Sequence, residues 1–148
     1  MELISLASVV LPAHKGCSFL RETIDDVLAQ MFLDFQYLVI DDGSTDGAVS
    51  ALCAIAISRL EIQRNPRNLG LITTLNQGLG LARTPLFSRM NAGDVTQQHR
   101  LERQLAAFAA DPALNVIGTW TQTAEVGRPV ATDLQATPAG ARGVDTVR

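Results

Sequence analysis

LVIDDGSTDG, residues 38–47, is the segment from which the fold of this chain can first be predicted. An apolar run ends there in two adjacent carboxylates, Asp41 and Asp42, and five small or polar residues follow. Such residues are unfavourable inside strands, but they form turns and cap helices. The segment therefore predicts a buried strand, a polar turn and the start of a helix.

The bulk composition is that of one globular domain. The chain has 148 residues, 47% of them hydrophobic. Its net charge of −3 argues against a nucleic-acid partner, which requires a basic face. Two cysteines, Cys17 and Cys53, provide neither a disulfide framework nor a CxxC metal site. No apolar stretch approaches the roughly 20 residues of a membrane helix, so we expect a cytosolic chain without a membrane segment.

Strand and helix patterns alternate along the first 120 residues. Apolar runs of strand length occur at residues 4–12, 35–41, 60–64, 85–90 and 114–120. Patterns of helical period occur at residues 18–32, 48–57, 71–83 and 97–111. Strands separated by helices of this length imply right-handed crossovers. We therefore predict an α/β fold with a mainly parallel, twisted sheet flanked by helices.

The pattern makes three finer predictions. Pro12 is expected to stop the first strand. The residues expected on the buried face of the first helix are Phe19, Ile24, Val27, Leu28 and Met31. Residues 121–148 show no period and few large apolar side chains, so we predict a domain at residues 1–120 and a poorly structured tail after it.

Polar loops follow the predicted strands where an open α/β sheet binds its ligands, beyond the carboxyl ends of the strands. These loops are PAHKG, DDGSTDG, RNPRNLG and NAGD. One carboxylate is enough to cap a helix, so the pair Asp41 and Asp42 favours a binding role. A carboxylate there could accept hydrogen bonds from the N–H of a uracil or from the hydroxyl groups of a ribose. The alternative is that Asp42 or Asp46 only caps the following helix.

Several separate motifs share their order and spacing with a known family. They are SVVLPAHK, FLRETIDDVLAQMFLDFQYLVIDDGSTDG, NPRNLGLITTLNQGLGLAR, and RMNAGD followed by RLERQ. Over about residues 5–120 the chain resembles the N-terminal half of family 2 glycosyltransferases, which have the GT-A fold. The resemblance implies transfer of a sugar from a nucleotide donor, usually UDP- or dTDP-linked, to an acceptor hydroxyl with inversion. The product could be a polysaccharide, a lipid-linked glycan or a glycoprotein.

The resemblance also implies donor-binding roles for particular positions. The segment from Pro12 through Ala13 and His14 would border the nucleobase, and Asp42, at the end of the strand beside Asp41, would hold the uracil or its ribose. Arg67 and Asn68 would lie near the base and the diphosphate. The turn that contains Asn91 and Asp94 would carry the DxD-type ligands for Mn²⁺ or Mg²⁺, which neutralise the charge that develops on the leaving diphosphate.

The chain departs from the family pattern at two of these loops. The family commonly has RMDADD after the fourth strand, whereas this chain has Asn91 and Gly93 in place of two carboxylates. Asp94 is the carboxylate that is left there; it either binds a metal with the donor phosphates or caps the next helix. In PAHKG, His14 replaces the usual aromatic residue and Lys15 an asparagine. His14 either stacks on a base or faces solvent.

The catalytic residues stay unassigned. An inverting displacement needs a base within hydrogen-bonding reach of the acceptor hydroxyl. In the family, this base and the acceptor-binding half lie further downstream than this chain extends. Three hypotheses are therefore open: a glycosyltransferase, a nucleotide-binding module without transfer, and a scaffold whose loops are ordinary turns.

Overall fold

The computed structural model describes residues 5–15, 17–47, 59–118, 121–122 and 146–147. The chain divides into two compact units, Met1–Asp25 with Leu33–Gly93, and Asp26–Phe32 with Asp94–Arg148. The helix predicted at residues 48–57 and most of the predicted tail lie outside the described residues. The domain boundary expected at residue 120 stays a prediction.

A four-stranded parallel sheet forms the centre of the first unit. Its strands are β1 (Ala7–Ala13), β2 (Phe35–Asp41), β3 (Leu60–Arg64) and β4 (Leu86–Arg89), in the order β3-β2-β1-β4. Every residue of β1 and β2 is buried, as expected for central parallel strands covered on both faces. The predicted α/β class with a mainly parallel sheet is confirmed.

Strand β1 continues through Pro12 to Ala13, so the prediction that proline stops it is wrong. The reason lies in the hydrogen-bonding pattern of the neighbouring strands. The Val10 carbonyl accepts from the Met90 N–H, and the pairing of β1 with β4 ends at Val10. The backbone groups of successive strand residues point to opposite sides, so the nitrogen of Pro12 points toward β4, as the backbone of Val10 does. At Pro12, however, the pairing of β1 with β4 has already ended. The missing N–H therefore costs no ladder bond.

Helix α1 (Cys17–Leu28) buries Ile24 and Val27 as predicted, but not the whole of the predicted face. Leu20, Ile24 and Val27 are buried, at the spacing i, i+4, i+7. Phe19 is 58% exposed and Met31 is 57% exposed, so their placement on the buried face is wrong. Apolar residues occupy two adjacent faces of this helix, and the sequence pattern does not show which of the two faces packs against the core.

Helix α2 (Leu71–Leu81) lies close to the sheet because one of its residues has no side chain. A Cβ atom on Gly78 would be 2.4 Å from Cγ1 of Val10 and 3.2 Å from Cδ1 of Ile40. Val10, Leu38 and Ile40 form a cluster of buried side chains in the sheet. Gly78 therefore allows the helix backbone to contact β1 directly, whereas Gly80 is exposed with nothing within 4 Å of a Cβ.

The second unit contains helix α3 (Arg100–Ala110) and three short strands. The strands are β5 (Val95–Thr96), β6 (Thr121–Gln122) and β7 (Thr146–Val147), in the order β5-β7-β6. The buried Gln30 fixes the start of α3: its amide donates to the Gln97 carbonyl at 2.7 Å, and its oxygen accepts from the Leu101 N–H at 3.1 Å.

The strand predicted at residues 114–120 is wrong over the part that the structure describes. Residues 114–117 have no strand structure, and Val116 is 81% exposed. None of the helices in the described ranges combines the length and the apolar character needed to cross a bilayer.

The two glycines of α2 give a matched test of its packing. Gly80→Ala should raise the free energy of unfolding by about 0.5–1 kcal/mol, because alanine favours an exposed helix. Gly78→Ala should lower it by about 1–3 kcal/mol, because the new methyl group overpacks against Val10. Urea unfolding of both variants measures the difference. Equal stabilisation by the two substitutions would contradict the close contact between α2 and β1.

Candidate functional site

Three turns of the first unit are joined by hydrogen bonds at the carboxyl edge of the sheet. The Asp42 N–H, at the start of the turn after β2, donates to the Ala13 carbonyl at the end of β1 at 2.7 Å. The Asn65 N–H, after β3, donates to the Asp41 carbonyl at 2.8 Å. We call this edge, which is formed by residues 13–15, 41–47 and 64–70, the rim. The sequence predicted that ligand-binding loops would lie there.

The Asp42 carboxylate is buried within the rim and accepts hydrogen bonds from the chain itself. Its Oδ1 accepts from the Asn65 Nδ2 at 2.9 Å and from the Leu69 N–H at 2.8 Å, and its Oδ2 accepts from the Gly70 N–H at 2.8 Å. The Thr74 hydroxyl is a further partner, shared with the Gly70 carbonyl. Only 4% of Asp42 is exposed. The carboxylate therefore holds the loop after β3 and the start of α2.

The ionisation of Asp42 reflects these contacts. Burial by itself raises the pKa of this carboxyl, but the hydrogen bonds from its internal donors favour the charged form and hold the pKa below its usual value. The side chain is thus a fixed negative charge that is neutralised by amide dipoles and a hydroxyl group. No cationic side chain is among these partners.

Gly43 allows the turn after β2 to contact the loop after β3. Its φ of +71° lies in the left-handed region, and a Cβ there would be 2.4 Å from the Arg67 carbonyl carbon and 2.6 Å from the Asn68 nitrogen. A side chain would therefore separate the two segments as well as strain the backbone. This backbone contact reinforces the hydrogen bonds of Asp42.

Asp41 also acts inside the rim. It is 1% exposed, and its Oδ1 accepts from the Ser44 N–H at 3.0 Å. Its Oδ2 lies 3.4 Å from Nε of the half-exposed Arg64, which also donates from Nη2 to the Ser44 carbonyl at 3.2 Å. Asp41 therefore fixes the turn after β2 through its Oδ1, whereas its buried Oδ2 accepts no hydrogen bond from the described residues.

The exposed polar side chains of the rim belong to other residues. His14 and Lys15, after β1, are exposed, as are Arg67 and Asn68 after β3. The Asn68 Oδ1 accepts from the Gly70 N–H at 2.9 Å. Pro12 and Ala13, which the resemblance placed beside the nucleobase, are buried members of β1. Ligand binding by the predicted positions stays a prediction. Of these positions, His14, Arg67 and Asn68 are exposed, Asn91 is half-buried, and the others are buried.

Asn65 is the rim residue that the sequence reasoning missed. It is 6% exposed, and its amide links the Asp42 carboxylate to Gln77 of α2, whose amide donates back to the Asn65 Oδ1 at 3.1 Å. The available signal was its position, a polar residue directly after a strand and before Pro66. Its partners lie 23 and 12 residues away, so the sequence did not show them.

The turn after β4 carries no carboxylate at residues 91 and 93, where the family pattern has two. The Asn91 Oδ1 accepts from Nη2 of Arg89 at 2.8 Å and from its Nε at 3.2 Å, so a cation already engages this oxygen. Gly93 contributes no side chain. Asp94 is buried and belongs to the second unit. Across the described ranges, no three His, Cys, Asp or Glu side chains lie together as metal ligands would.

Comparison with known proteins identifies the family. The model of glycosyl transferase family 2 matches residues 8–140. The chain belongs to glycosyltransferase family 2.

It is 31% identical over 124 residues to an uncharacterized glycosyltransferase of Haemophilus influenzae, with 82% of this chain and 38% of that protein covered. It is 28% identical over 118 residues to the O-antigen biosynthesis protein RfbC of Myxococcus xanthus, with 77% of this chain and 9% of that protein covered. The chain thus spans well under half of these relatives.

Solved structures share the fold. The mannosyltransferase PcManGT from Pyrobaculum calidifontis, in complex with GDP-Man and Mn²⁺, matches with a TM-score of 0.74 at 20% identity, covering 80% of this family 2 chain and 36% of that chain. TarS of S. aureus in complex with UDP-GlcNAc matches with a TM-score of 0.71 at 20% identity, covering 85% and 37%. The predicted GT-A fold is confirmed.

Asp42→Asn tests the internal role of the carboxylate. An amide at this position loses the charge and turns its NH₂ group toward a hydrogen-bond donor. The free energy of unfolding should therefore fall by about 2–4 kcal/mol. The matched control is Asp25→Asn, because Asp25 forms an exposed i,i+4 ion pair with Arg21 and its loss should cost less than about 0.5 kcal/mol. Denaturant unfolding compares the two variants. Similar small losses would show that Asp42 does not hold the rim.

The low pKa of Asp42 predicts how stability depends on pH. A carboxyl whose pKa is lower in the folded state contributes stability above the unfolded pKa of about 3.9 and loses it as the pH falls through the folded pKa. Between about pH 5 and pH 2.5, the wild type should therefore lose more stability than Asp42→Asn. Thermal midpoints across this range measure the effect, and parallel curves for the two proteins would contradict it.

Proposed function

We propose that the rim binds the nucleoside diphosphate of a sugar donor, as the donor-binding part of an inverting glycosyltransferase. The observation that supports this most directly is the construction of the rim in a family 2 chain. Three turns at the carboxyl edge of a parallel sheet are joined by buried hydrogen bonds, and polar side chains are left exposed along them. A ligand would meet a surface that is already ordered, which lowers the entropic cost of binding.

The charges of the rim suit a diphosphate. Asp41 and Asp42 are buried, whereas the cationic Lys15 and Arg67 are exposed, as is the carboxylate of Asp46. An arginine can donate two parallel hydrogen bonds to a phosphate, and a lysine can approach it as a point charge. We assign phosphate contacts to Lys15 and Arg67. The predicted UDP- or dTDP-sugar donors fit this proposal, and the related structures in complex with GDP-Man and UDP-GlcNAc support a nucleotide sugar.

No catalytic base is assigned to this chain, because the family pattern places that base further downstream. The name of RfbC, an O-antigen biosynthesis protein, supports polysaccharide synthesis as the process in which transfer occurs. The second candidate function is a nucleotide-binding module without transfer. It is favoured by the turn after β4, where Arg89 engages Asn91 and Gly93 replaces a carboxylate. A cytosolic location stays a prediction.

A divalent metal has a smaller role in this proposal than the family pattern implies. PcManGT is in complex with Mn²⁺ as well as GDP-Man, which supports metal use by that protein. In this chain, Asn91 is neutral and engaged by a guanidinium group. We therefore propose that donor binding depends little on Mn²⁺ or Mg²⁺, with Asp94 as the residue that would hold the ion where one is used.

Calorimetric titration with UDP tests the proposal. UDP should bind in the presence of EDTA, with an affinity within about threefold of that in millimolar Mn²⁺, because side chains for metal coordination are few. Arg67→Ala should weaken UDP binding by about five- to tenfold through the loss of a phosphate contact. Arg103→Ala, an exposed arginine of α3, is the matched control and should leave the affinity unchanged.

Three results would revise the proposal. If UDP, dTDP and GDP all fail to bind at millimolar concentration, the scaffold hypothesis replaces it. If Mn²⁺ strengthens UDP binding more than tenfold and Asp94→Asn removes the gain, the metal belongs to Asp94. If UDP binds but a sugar is never released or transferred from UDP-sugars with any acceptor tried, the module without transfer is favoured.

A further inference from the structure

We propose that the surface between helix α2 and strand β4 binds a lipid phosphate, a molecule with one apolar chain and a phosphate head group. The surface is formed by Ile72, Leu75, Leu79, Phe87 and Arg89, and we call it the ledge. In this proposal the chain lies along the apolar side chains and the phosphate contacts Arg89. No residue of the ledge belongs to the rim, so the inference does not depend on nucleotide binding.

The face of β4 that lies on the α2 side of the sheet is uncovered. Residues aligned in neighbouring parallel strands point to the same face. Phe87 is aligned with Ser8 and Arg89 with Val10, and Val10 is the side chain against which Gly78 of α2 packs. Phe87 and Arg89 therefore lie on the α2 side, where Phe87 is 39% exposed and Arg89 is exposed. The other two residues of β4 are half-buried.

Helix α2 turns an apolar flank toward this uncovered face. Gly78 faces the sheet, and in a helix of 3.6 residues per turn Gln77 and Leu79 lie about 100° to either side of it. Gln77 hydrogen-bonds to the loop after β3, so its flank faces β3, and the flank of Leu79 faces β4 at the other edge of the sheet. Ile72 and Leu75 share the flank of Leu79, because the three residues have the spacing i, i+3, i+7. Ile72 is 77% exposed, Leu79 is 58% exposed, and Leu75 is half-buried.

The other edge of the sheet has polar residues at the corresponding positions. On β3, Glu61 and Gln63 are aligned with Leu38 and Ile40, which belong to the buried cluster beneath α2. Glu61 and Gln63 therefore lie on the α2 side as well, and both remain in contact with water at no cost. The ledge instead exposes aliphatic and aromatic side chains next to one another. Scattered exposed apolar residues are ordinary, whereas a contiguous group of them marks a binding surface.

Arg89 places a positive charge at the carboxyl end of the ledge. Its Nε and Nη2 donate to the Asn91 Oδ1, which uses two of the five N–H groups of the guanidinium. This partner is neutral, and no carboxylate of the described residues forms an ion pair with Arg89. An arginine can bind a phosphate through two parallel hydrogen bonds. The charge at one end of an apolar surface therefore matches a ligand with an anionic head and an apolar chain.

Two other occupants of the ledge fit these observations less well. A stable interface with a second copy of the chain would use about 20–30 residues a side, whereas the ledge has five. A two-fold dimer would also bring together two surfaces that each carry an arginine and no acid. A flat bilayer surface would reach Ile72, the most exposed of the side chains, but not the half-buried Leu75. A single chain that lies beside the helix can contact both.

Calorimetric titration with dodecyl phosphate, below the concentration at which it forms micelles, tests the inference. The chain should bind dodecyl phosphate at least about tenfold more tightly than dodecanol or inorganic phosphate, because only the first probe both covers the ledge and reaches Arg89. Arg89→Gln should weaken the binding of dodecyl phosphate by about five- to tenfold and leave that of dodecanol unchanged. Leu79→Gln should weaken both by about three- to tenfold through lost apolar contact.

Two matched substitutions outside the ledge are the controls. Leu33→Gln changes an apolar residue that is 61% exposed, and Arg103→Gln changes an exposed arginine of α3. Both should leave the affinities for the three probes unchanged. All four substitutions are at exposed positions, so the thermal midpoints of the variants should stay close to that of the wild type. Titration of each variant with UDP reports separately on the rim.

Four results would overturn the inference while the nucleotide site stands on its UDP titrations. The first is that dodecyl phosphate binds equally well to the wild type, Arg89→Gln and Leu79→Gln. The second is binding to vesicles that contain phosphatidic acid without binding of monomeric dodecyl phosphate, which would assign the ledge to a bilayer surface. The third is a wild-type dimer in sedimentation that becomes monomeric in Leu79→Gln, which would assign it to a second copy. The fourth is a monomer that binds neither dodecyl phosphate nor vesicles, which would leave the ledge to a helix of another polypeptide.

Discussion

The buried carboxylate of Asp42 places the strongest constraint on the first unit. A charge removed from water must be satisfied by donors held close to it, and here the donors are amides of a loop that begins after another strand. The loop between β3 and α2 therefore has to follow one path, with Gly70 at its end as the residue before the helix. Gly43 permits this path, because any side chain there would collide with the loop. The start of α2 and the shape of the rim follow from this one requirement.

This construction separates the residues that hold the rim from those that can meet a ligand. Asp41 and Asp42 are buried and hydrogen-bonded within the chain, and Asn65 joins them to α2. The exposed positions carry an imidazole, cationic groups and the carboxylate of Asp46. In the proposed site, the acidic pair fixes the geometry and its neighbours supply the contacts. The sequence pattern DD marks the edge of the sheet correctly without identifying which side chains face outward.

The features that could be predicted from the sequence are those that depend on residues close together in the chain. The bounds of β2 and β3 agree with the prediction because each apolar run stands between clear turn residues. The prediction for the buried face of α1 was wrong at Phe19, because tertiary contacts determine which of two adjacent apolar faces is buried. The partners of Asp42 could not be predicted, because they come from a loop more than 20 residues away. The role of Gly78 likewise depends on Val10, far away in the sequence.

The altered turn after β4 is physically consistent with the charges of the rim. A divalent cation is needed most where carboxylates and a diphosphate face each other, because the metal removes the repulsion between them. In the first unit, Asp41 and Asp42 are buried, Asp46 is exposed, Asn91 is neutral, and Arg89 already places a positive charge beside the Asn91 oxygen. An anionic ligand would meet exposed cations there directly. The loss of acidic ligands at one turn and the burial of acidic residues at another thus lead to the same expectation, a nucleotide site whose charge is balanced by side chains.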